Sequence, residues 1–445
     1  MYVAHPPDGK TLFKTMTRNR LAAILEAGPP ASGSGYIHWD KLRHLEPPDG
    51  LTREEWWLGI KLARAPALRP LSLSDAAGER FVYSTPDAVL RLLHYVDQRC
   101  SGEIAMAEVV TADEHARRRY LVNSLMEEAI RSSQLEGAST SRQVAKELLS
   151  SGREPIDRSE RMILNNFRAL EFMREGIGNT LTPAAVLELQ RVLTEGTLDD
   201  PTAAGRLQTP GEDRVAVVDR LDGSLIHSPP PAEQLPARLR AMCDFANESH
   251  ERAEPFVHPV VRGILLHFWL AYDHPFADGN GRTARALFYW YMRTRGYWLV
   301  EYLSISRILR KAPAQYGRSF VLTETDDRDT TYFLLYQLEV IERAVKELHE
   351  YLQRKIGEIR DVEDLIKDSA EFNHRQLALL SDAVRHPERE YTLQAHAGRH
   401  AVTHETARND LGQLLRRGLL ERHRSGRKHV FRPVADLPEL LRGLS

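Results

Sequence analysis

Between two apolar runs the chain reads His274-Pro-Phe-Ala-Asp-Gly-Asn-Gly-Arg-Thr-Ala-Arg285. Gly279 and Gly281 carry no Cβ, so the backbone can turn sharply and bring its N–H groups close to an anion. A helix starting near them adds the positive end of its dipole to the same spot. Arg282 and Arg285 lie three apart, as neighbours on one helical face, and two guanidinium forks there suit two phosphates. Asp278 offers the oxygen ligand that a phosphate-bound Mg²⁺ takes from a protein. His274 could take a proton from an incoming hydroxyl. Each residue alone is explained as well by a helix end with solvated charges. Together they describe phosphoryl or nucleotidyl transfer.

Such a loop needs helices on both sides. "HPVVRGILLHFWLAYDHPF" precedes it, and the chain from about 106 to 350 reads as predominantly helical. "TADEHARRRYLVNSLMEEAIRSSQLEG" opens with Thr111 and Glu114 at capping-box spacing. It carries Leu121, Leu125 and Ile130 near helical periodicity and stops at Gly137. "SERMILNNFRALEFMREG", "TPAAVLELQRVLTEG" and "PPAEQLPARLRAMCDFANES" follow the same grammar. The interruption is "DRVAVVDRLDGSLIHSP", which alternates around Asp222-Gly223 and predicts a β-hairpin. A lone hairpin is marginal, so it must pack on the helices or serve as a flap.

Residues 1 to about 105 are rich in Pro, Gly and Trp. Within them "TREEWWLGIKLARA" predicts a helix capped by Thr52 with Glu55 at the capping-box position. "GERFVYSTP" predicts a short strand, and Trp56-Trp57 predicts buried packing. Residues 351–372 read as a connecting helix. The segment 373–445 reads helix, short helix, turn, helix with Leu411, Leu414 and Leu415, then a basic hairpin around Ser425-Gly426, the order of a winged helix-turn-helix. That segment has 13 Lys and Arg against 8 Asp and Glu. The chain's net charge is −2, so the remainder carries −7 and the tail +5. A basic module on an acidic body suits a polyanion, although an ordinary solvated surface gives the same count.

At 445 residues, with 42% hydrophobic and 27% charged residues, the chain is expected to form two to three globular domains. No apolar run reaches the roughly 18 residues needed to span a bilayer, and the N-terminus lacks a secretory core. The expected location is the cytoplasm. Cys100 and Cys243 are far apart, which argues against a disulfide framework or a zinc site.

"HPFADGNGRTAR" resembles the signature of the Fic family: HPF, any residue, Asp or Glu, GNGR, two residues, Arg. The upstream helix is similar as well. The resemblance implies a mainly α fold, a helical core with a β-hairpin flap, here 106–350, preceded by a family-associated region at 1–105. It implies transfer of AMP from ATP to Tyr, Thr or Ser hydroxyls of proteins, with release of pyrophosphate. On that resemblance His274 is the general base and Phe276 anchors the loop. Asp278 holds Mg²⁺, Asn280 and the Gly281 backbone form the anion hole around the α-phosphate, and Gly279 belongs with them to the ATP site. Arg282 meets the β-phosphate and Arg285 the γ-phosphate. The hairpin is similar to the flap that clamps a target peptide as an added strand, and Gly205-Arg206 resembles its lead-in.

"SSQLEG", Ser132 to Gly137, is similar to the family's inhibitory pattern, with Ser132 and Glu136 on one helical face. By that likeness Glu136 pairs with Arg285 and displaces the γ-phosphate, the class II arrangement. The tail resembles the winged helices of many class II members. Thr406, Arg408 and Asn409 would lie near the exposed side of a recognition helix, with Arg424, Arg427 and Lys428 in a wing able to meet DNA phosphates. Winged helices also dimerise or bind proteins, so a homodimer stays open. So do two other readings: a DNA-binding regulator whose core senses nucleotide and mainly modifies itself, and an enzyme that also removes AMP.

Overall fold

The computed structural model describes residues 3–28, 36–101, 114–214, 217–218, 225–248, 255–367, 371–387, 389–425 and 428–443. The described chain is mainly helical and forms two compact units. One comprises residues up to 101 together with Val122–Val345; the other takes the chain from Lys346 onward with the start of the helix that enters Val122. Residues up to 101 and Val122–Val345 thus share one unit.

In the first unit, helix α1 (Arg53–Arg64) carries both halves of its capping box. Glu55 N–H donates to Thr52 Oγ1 over 3.2 Å, and Thr52 N–H to Glu55 Oε2 over 2.8 Å. Trp56 and Trp57 are buried, as their apolar setting predicts. Strands β1 (Arg69–Ser74) and β2 (Arg80–Tyr83) pair antiparallel. The edge of β2 is claimed by a distant segment: Val82 N–H donates to Arg328 O and Thr330 N–H to Val82 O. Lys61 Nζ meets Asp326 at 2.7 Å. These long-range bonds are why the N-terminal region belongs to the same unit as the helices that follow.

Helix α2 (Glu114–Leu135) runs into a turn at Gly137, whose φ of +107° only glycine adopts without strain. Thr111 lies outside the described residues. α2 lies on α3 (Arg158–Glu175): Ser133 Oγ donates to Met162 O, and Asn166 Nδ2 donates to Ala129 O over 3.1 Å. Next comes α4 (Pro183–Thr194), capped by Thr182. The two strands flanking the expected flap, β3 (Val217–Val218) and β4 (Leu225–His227), pair antiparallel. Their Asp222-Gly223 turn lies outside the described residues. α5 (Pro259–Asp273) buries thirteen of its fifteen residues, as a helix apolar all round must. α6 (Asn280–Thr294) packs along it and buries twelve of fifteen.

The long helix α7 (Thr331–Lys367) contributes to both units, and residues 351–367 continue it. In the second unit α8 (His374–Arg385), α9 (Leu393–His400) and α10 (His404–Arg416) precede a hairpin of β5 (Leu420–Ser425) and β6 (Lys428–Pro433). Leu411 and Leu414 enter a core with Leu380, Leu420 and Phe431, and Leu415 packs against it. Asp410 joins the three helices by accepting from Asn373 Nδ2, Arg375 Nε and His396 Nε2. Cys100 and Cys243 are buried free thiols. No helix among the described residues is long and apolar enough to cross a membrane.

Candidate active site

Residues 274–279 join α5 to α6. His274 stands at the C-cap of α5 in the left-handed region, φ 44° and ψ 54°, and its N–H donates to Leu270 O over 3.0 Å. Gly279 is the N-cap of α6 at φ 84°. A Cβ there would also meet Thr194 Cγ2 at 2.9 Å, so both backbone and space call for glycine. Phe276 is fully buried and anchors the loop.

The Asn280 side chain braces the loop. Its Oδ1 accepts from Phe276 N–H at 2.9 Å and its Nδ2 donates to Phe276 O at 2.8 Å. The carboxamide is spent on the loop itself, and Asn280 is the first residue of α6. Asp278 is part-exposed. Its Oδ1 accepts from Gly279 N–H, and its Oδ2 lies 3.1 Å from Arg282 Nη2.

The two arginines diverge. The side chain of Arg282 is 0% exposed; its Nη1 donates to Leu193 O over 3.0 Å and its Nη2 to Asp278. In this state it supports the loop from behind. Arg285, 3% exposed, points at α2: Nε donates to Ser132 Oγ at 2.9 Å, and Nη2 to Ser132 O at 3.2 Å and Glu136 Oε1 at 2.8 Å. Its Nη1 is buried with no hydrogen-bond partner. Burial pushes the Glu136 carboxyl up. The charge and hydrogen bond of Arg285, with help from Arg282 and His274, outweigh this and hold it below the usual carboxylate range. A Cβ on Gly281 would stand 2.2 Å from Glu136 Oε1, so the missing side chain at 281 is the room that Glu136 occupies.

Several supports escaped the motif. Gln190, fully buried on α4, donates from Nε2 to Asp278 O and accepts at Oε1 from Gly205 N–H. It thus ties the loop to the Gly205-Arg206 segment. Glu128, on α2 one turn before Ser132, accepts from Ser304 Oγ, Ser306 Oγ and Ser306 N–H. Burial raises its carboxyl despite those donors and Arg285. His267 is pushed down to about 3, by burial first and Arg285 second, and its Nε2 lies 2.7 Å from Tyr316 Oη. The only signal for Glu128 was its i, i+4 spacing to Ser132. Gln190 gave none.

Residues 180–292 match the family model described as Fic/DOC family. The 274–285 loop thus lies inside a segment that matches the Fic/DOC family. A relative from Nematostella vectensis named "Protein adenylyltransferase Fic" is 41% identical over 61 residues, 14% of this chain and 14% of the relative. The Caenorhabditis elegans "Protein adenylyltransferase fic-1" is 30% identical over 112 residues, 25% of this chain and 19% of the relative. The match thus spans less than a fifth of these curated relatives. The crystal structure of a Fic family protein from Desulfovibrio desulfuricans superposes with a TM-score of 0.53 at 19% identity, covering 78% of this chain and 96% of that one. This likeness establishes a shared fold.

On the tail, Arg408 and Asn409 are exposed on α10, Arg408 lying 3.2 Å from Glu405, while Thr406 is half-buried. Arg424 is exposed on β5. Arg427 lies outside the described residues. Lys428 begins β6, and its side chain is likewise outside them.

Proposed function

We propose that this protein transfers AMP from ATP to a protein hydroxyl, releases pyrophosphate, and is restrained by its own Glu136. The supporting observation is the 274–285 segment. It sets a histidine at one helix end and the free amides of the next helix's N-terminus a few residues away, in a Fic/DOC family domain. In the reaction the hydroxyl oxygen attacks the α-phosphorus while His274 accepts its proton. The bond to the β-phosphate oxygen breaks, and pyrophosphate leaves. The amides of Asn280 and Gly281 neutralise charge growing on the α-phosphate, and Arg282 and Arg285 serve the outer phosphates.

Among the described residues no group of three or more acidic, His or Cys side chains could hold a metal. The single part-exposed carboxylate of Asp278 fits Mg²⁺ arriving with ATP, since that ion keeps several waters and takes its other ligands from phosphates. Bound there, Mg²⁺ would neutralise phosphate charge.

The Glu136–Arg285 pair supports the class II reading, in which the carboxylate stands where a γ-phosphate would. The flap strands β3 and β4 support clamping of a protein target as an added strand. The exposed polar side of α10 beside the basic hairpin supports a winged helix that meets duplex DNA. The accompanying readings are a regulator that modifies chiefly itself, or an enzyme that also removes AMP. DNA affinity falling steeply with salt would favour the regulator. Mass spectrometry of E136G and E136G/H274A incubated with ATP and Mg²⁺ tests the main reading. An adduct of one AMP on E136G, absent from the double variant, is expected. AMP transfer surviving without His274 would remove it as base.

A further inference from the structure

The last four carbonyls of a helix have no partner within it, and at α5 three consecutive ones are taken by side chains. His227 Nε2 lies 2.6 Å from Tyr272 O, so that nitrogen carries the proton and donates. Arg214 Nη2 donates to Asp273 O at 2.7 Å and to His274 O at 3.1 Å. Arg214 and His227 come from the two roots of the flap: Arg214 precedes β3, and His227 ends β4.

Arg214 reaches further. Its Nε donates to Pro230 O over 2.8 Å, just past the flap, and its Nη1 donates to Gln208 Oε1 just before it. Gln208 N–H in turn donates to Pro275 O at 2.9 Å. His227 is held on its other side by Glu324, 2.9 Å from Nδ1. Both flap roots therefore grip the end of the helix that delivers His274, at a residue whose left-handed φ of 44° needs such a grip. The cation also suits the negative end of the α5 dipole.

We propose that Arg214 and His227 are positioning residues for His274, holding the end of the helix that delivers it. Among the described residues neither hydrogen-bonds to Arg285, Ser132 or Glu136, so they set the orientation of His274 and leave ATP binding alone. This rests on the reading of His274 as the base.

The test uses full-length E136G, with R214M, H227F and the two combined. AMP release from ATP, with water and the protein itself as acceptors, gives kcat and KM for ATP. Selective ¹³C-histidine NMR, assigned with H274A, reads the His274 ring without turnover. Loss of orientation by about an ångström costs on the order of 100-fold in kcat, so R214M is expected to fall about that far. KM for ATP should stay within about twofold, and the His274 resonance should shift. H227F should fall less, and the double variant by less than the product of the two, because both act on one row of carbonyls. R214K keeps the charge but reaches one carbonyl at a time, so a fall of about tenfold is expected. It serves if R214M does not fold. An unshifted His274 signal, or a rise in KM with kcat unchanged, overturns the proposal. If E136G itself transfers no AMP, the enzymatic reading fails, and the NMR comparison still decides whether Arg214 and His227 hold His274.

Discussion

Removing Glu136 should make the protein more active and less stable at the same time. Arg285 is 3% exposed and Glu136 30%, and their 2.8 Å contact is the only carboxylate hydrogen bond that Arg285 makes among the described residues. A hydrogen bond between charged groups contributes about 1.5–3 kcal/mol. At 1.4 kcal/mol per decade, E136G should raise ATP affinity, and with it transfer at low ATP, by roughly 10- to 100-fold. The same change leaves a buried guanidinium without its counter-charge. The cost should be about 1–3 kcal/mol, below that of a fully buried pair because water reaches Glu136. Calorimetric titration with ATP, transfer of α-labelled AMP and thermal unfolding read all three quantities. E136Q, which keeps the shape and one acceptor but loses the charge, should fall between wild type and E136G. E136A controls for the flexibility that glycine adds. ATP should return the lost stability, since its phosphates supply the missing negative charge. Equal ATP affinity and equal transfer in wild type and E136G would refute the reasoning.

The Glu136 carboxyl is held below its ordinary value of 4.5. Its contribution to stability is therefore complete above that value and lost as pH falls through the lower folded value. The difference in melting temperature between wild type and E136Q should shrink across that acidic window and stay constant from pH 6 to 8. G281A should break the Glu136–Arg285 contact, because the new Cβ would lie 2.2 Å from Glu136 Oε1. Its destabilisation, about 1–3 kcal/mol from overpacking, should largely vanish when measured in E136G, by chemical denaturation. N280A should cost about 2 kcal/mol, two hydrogen bonds of about 1 kcal/mol each, and slow transfer by releasing Phe276. N280D should be worse, since a carboxylate would face Phe276 O; denaturation and single-turnover transfer check both. Q190A should slow transfer without changing the Arg285–Glu136 pair, read as unaltered wild-type inhibition relative to E136G/Q190A.

Residue type and spacing alone pointed to the chemistry proposed for the loop. Two glycines at a helix start, a histidine four residues before an acid, and Ser132 and Glu136 one turn apart are local facts, because turn conformation and helical periodicity are local. The same holds for the Thr52–Glu55 capping box and the apolar faces of α5 and α6. What each side chain does with its hydrogen bonds was decided only by tertiary structure, because partners come from distant segments. Arg282 and Arg285 share a helix face, yet Leu193 O draws one behind the loop and Ser132 with Glu136 draws the other across the site. Asn280 can meet a phosphate or staple a loop, and the closeness of Phe276 settles that its side chain staples. The row of carbonyls taken by Arg214 and His227 has no sequence signature at all, since the acceptors are backbone and the donors lie 60 and 45 residues away. Gly281 shows both sources at once. Its sequence gave the freedom to approach an anion; the fold decided that in this state the anion is Glu136.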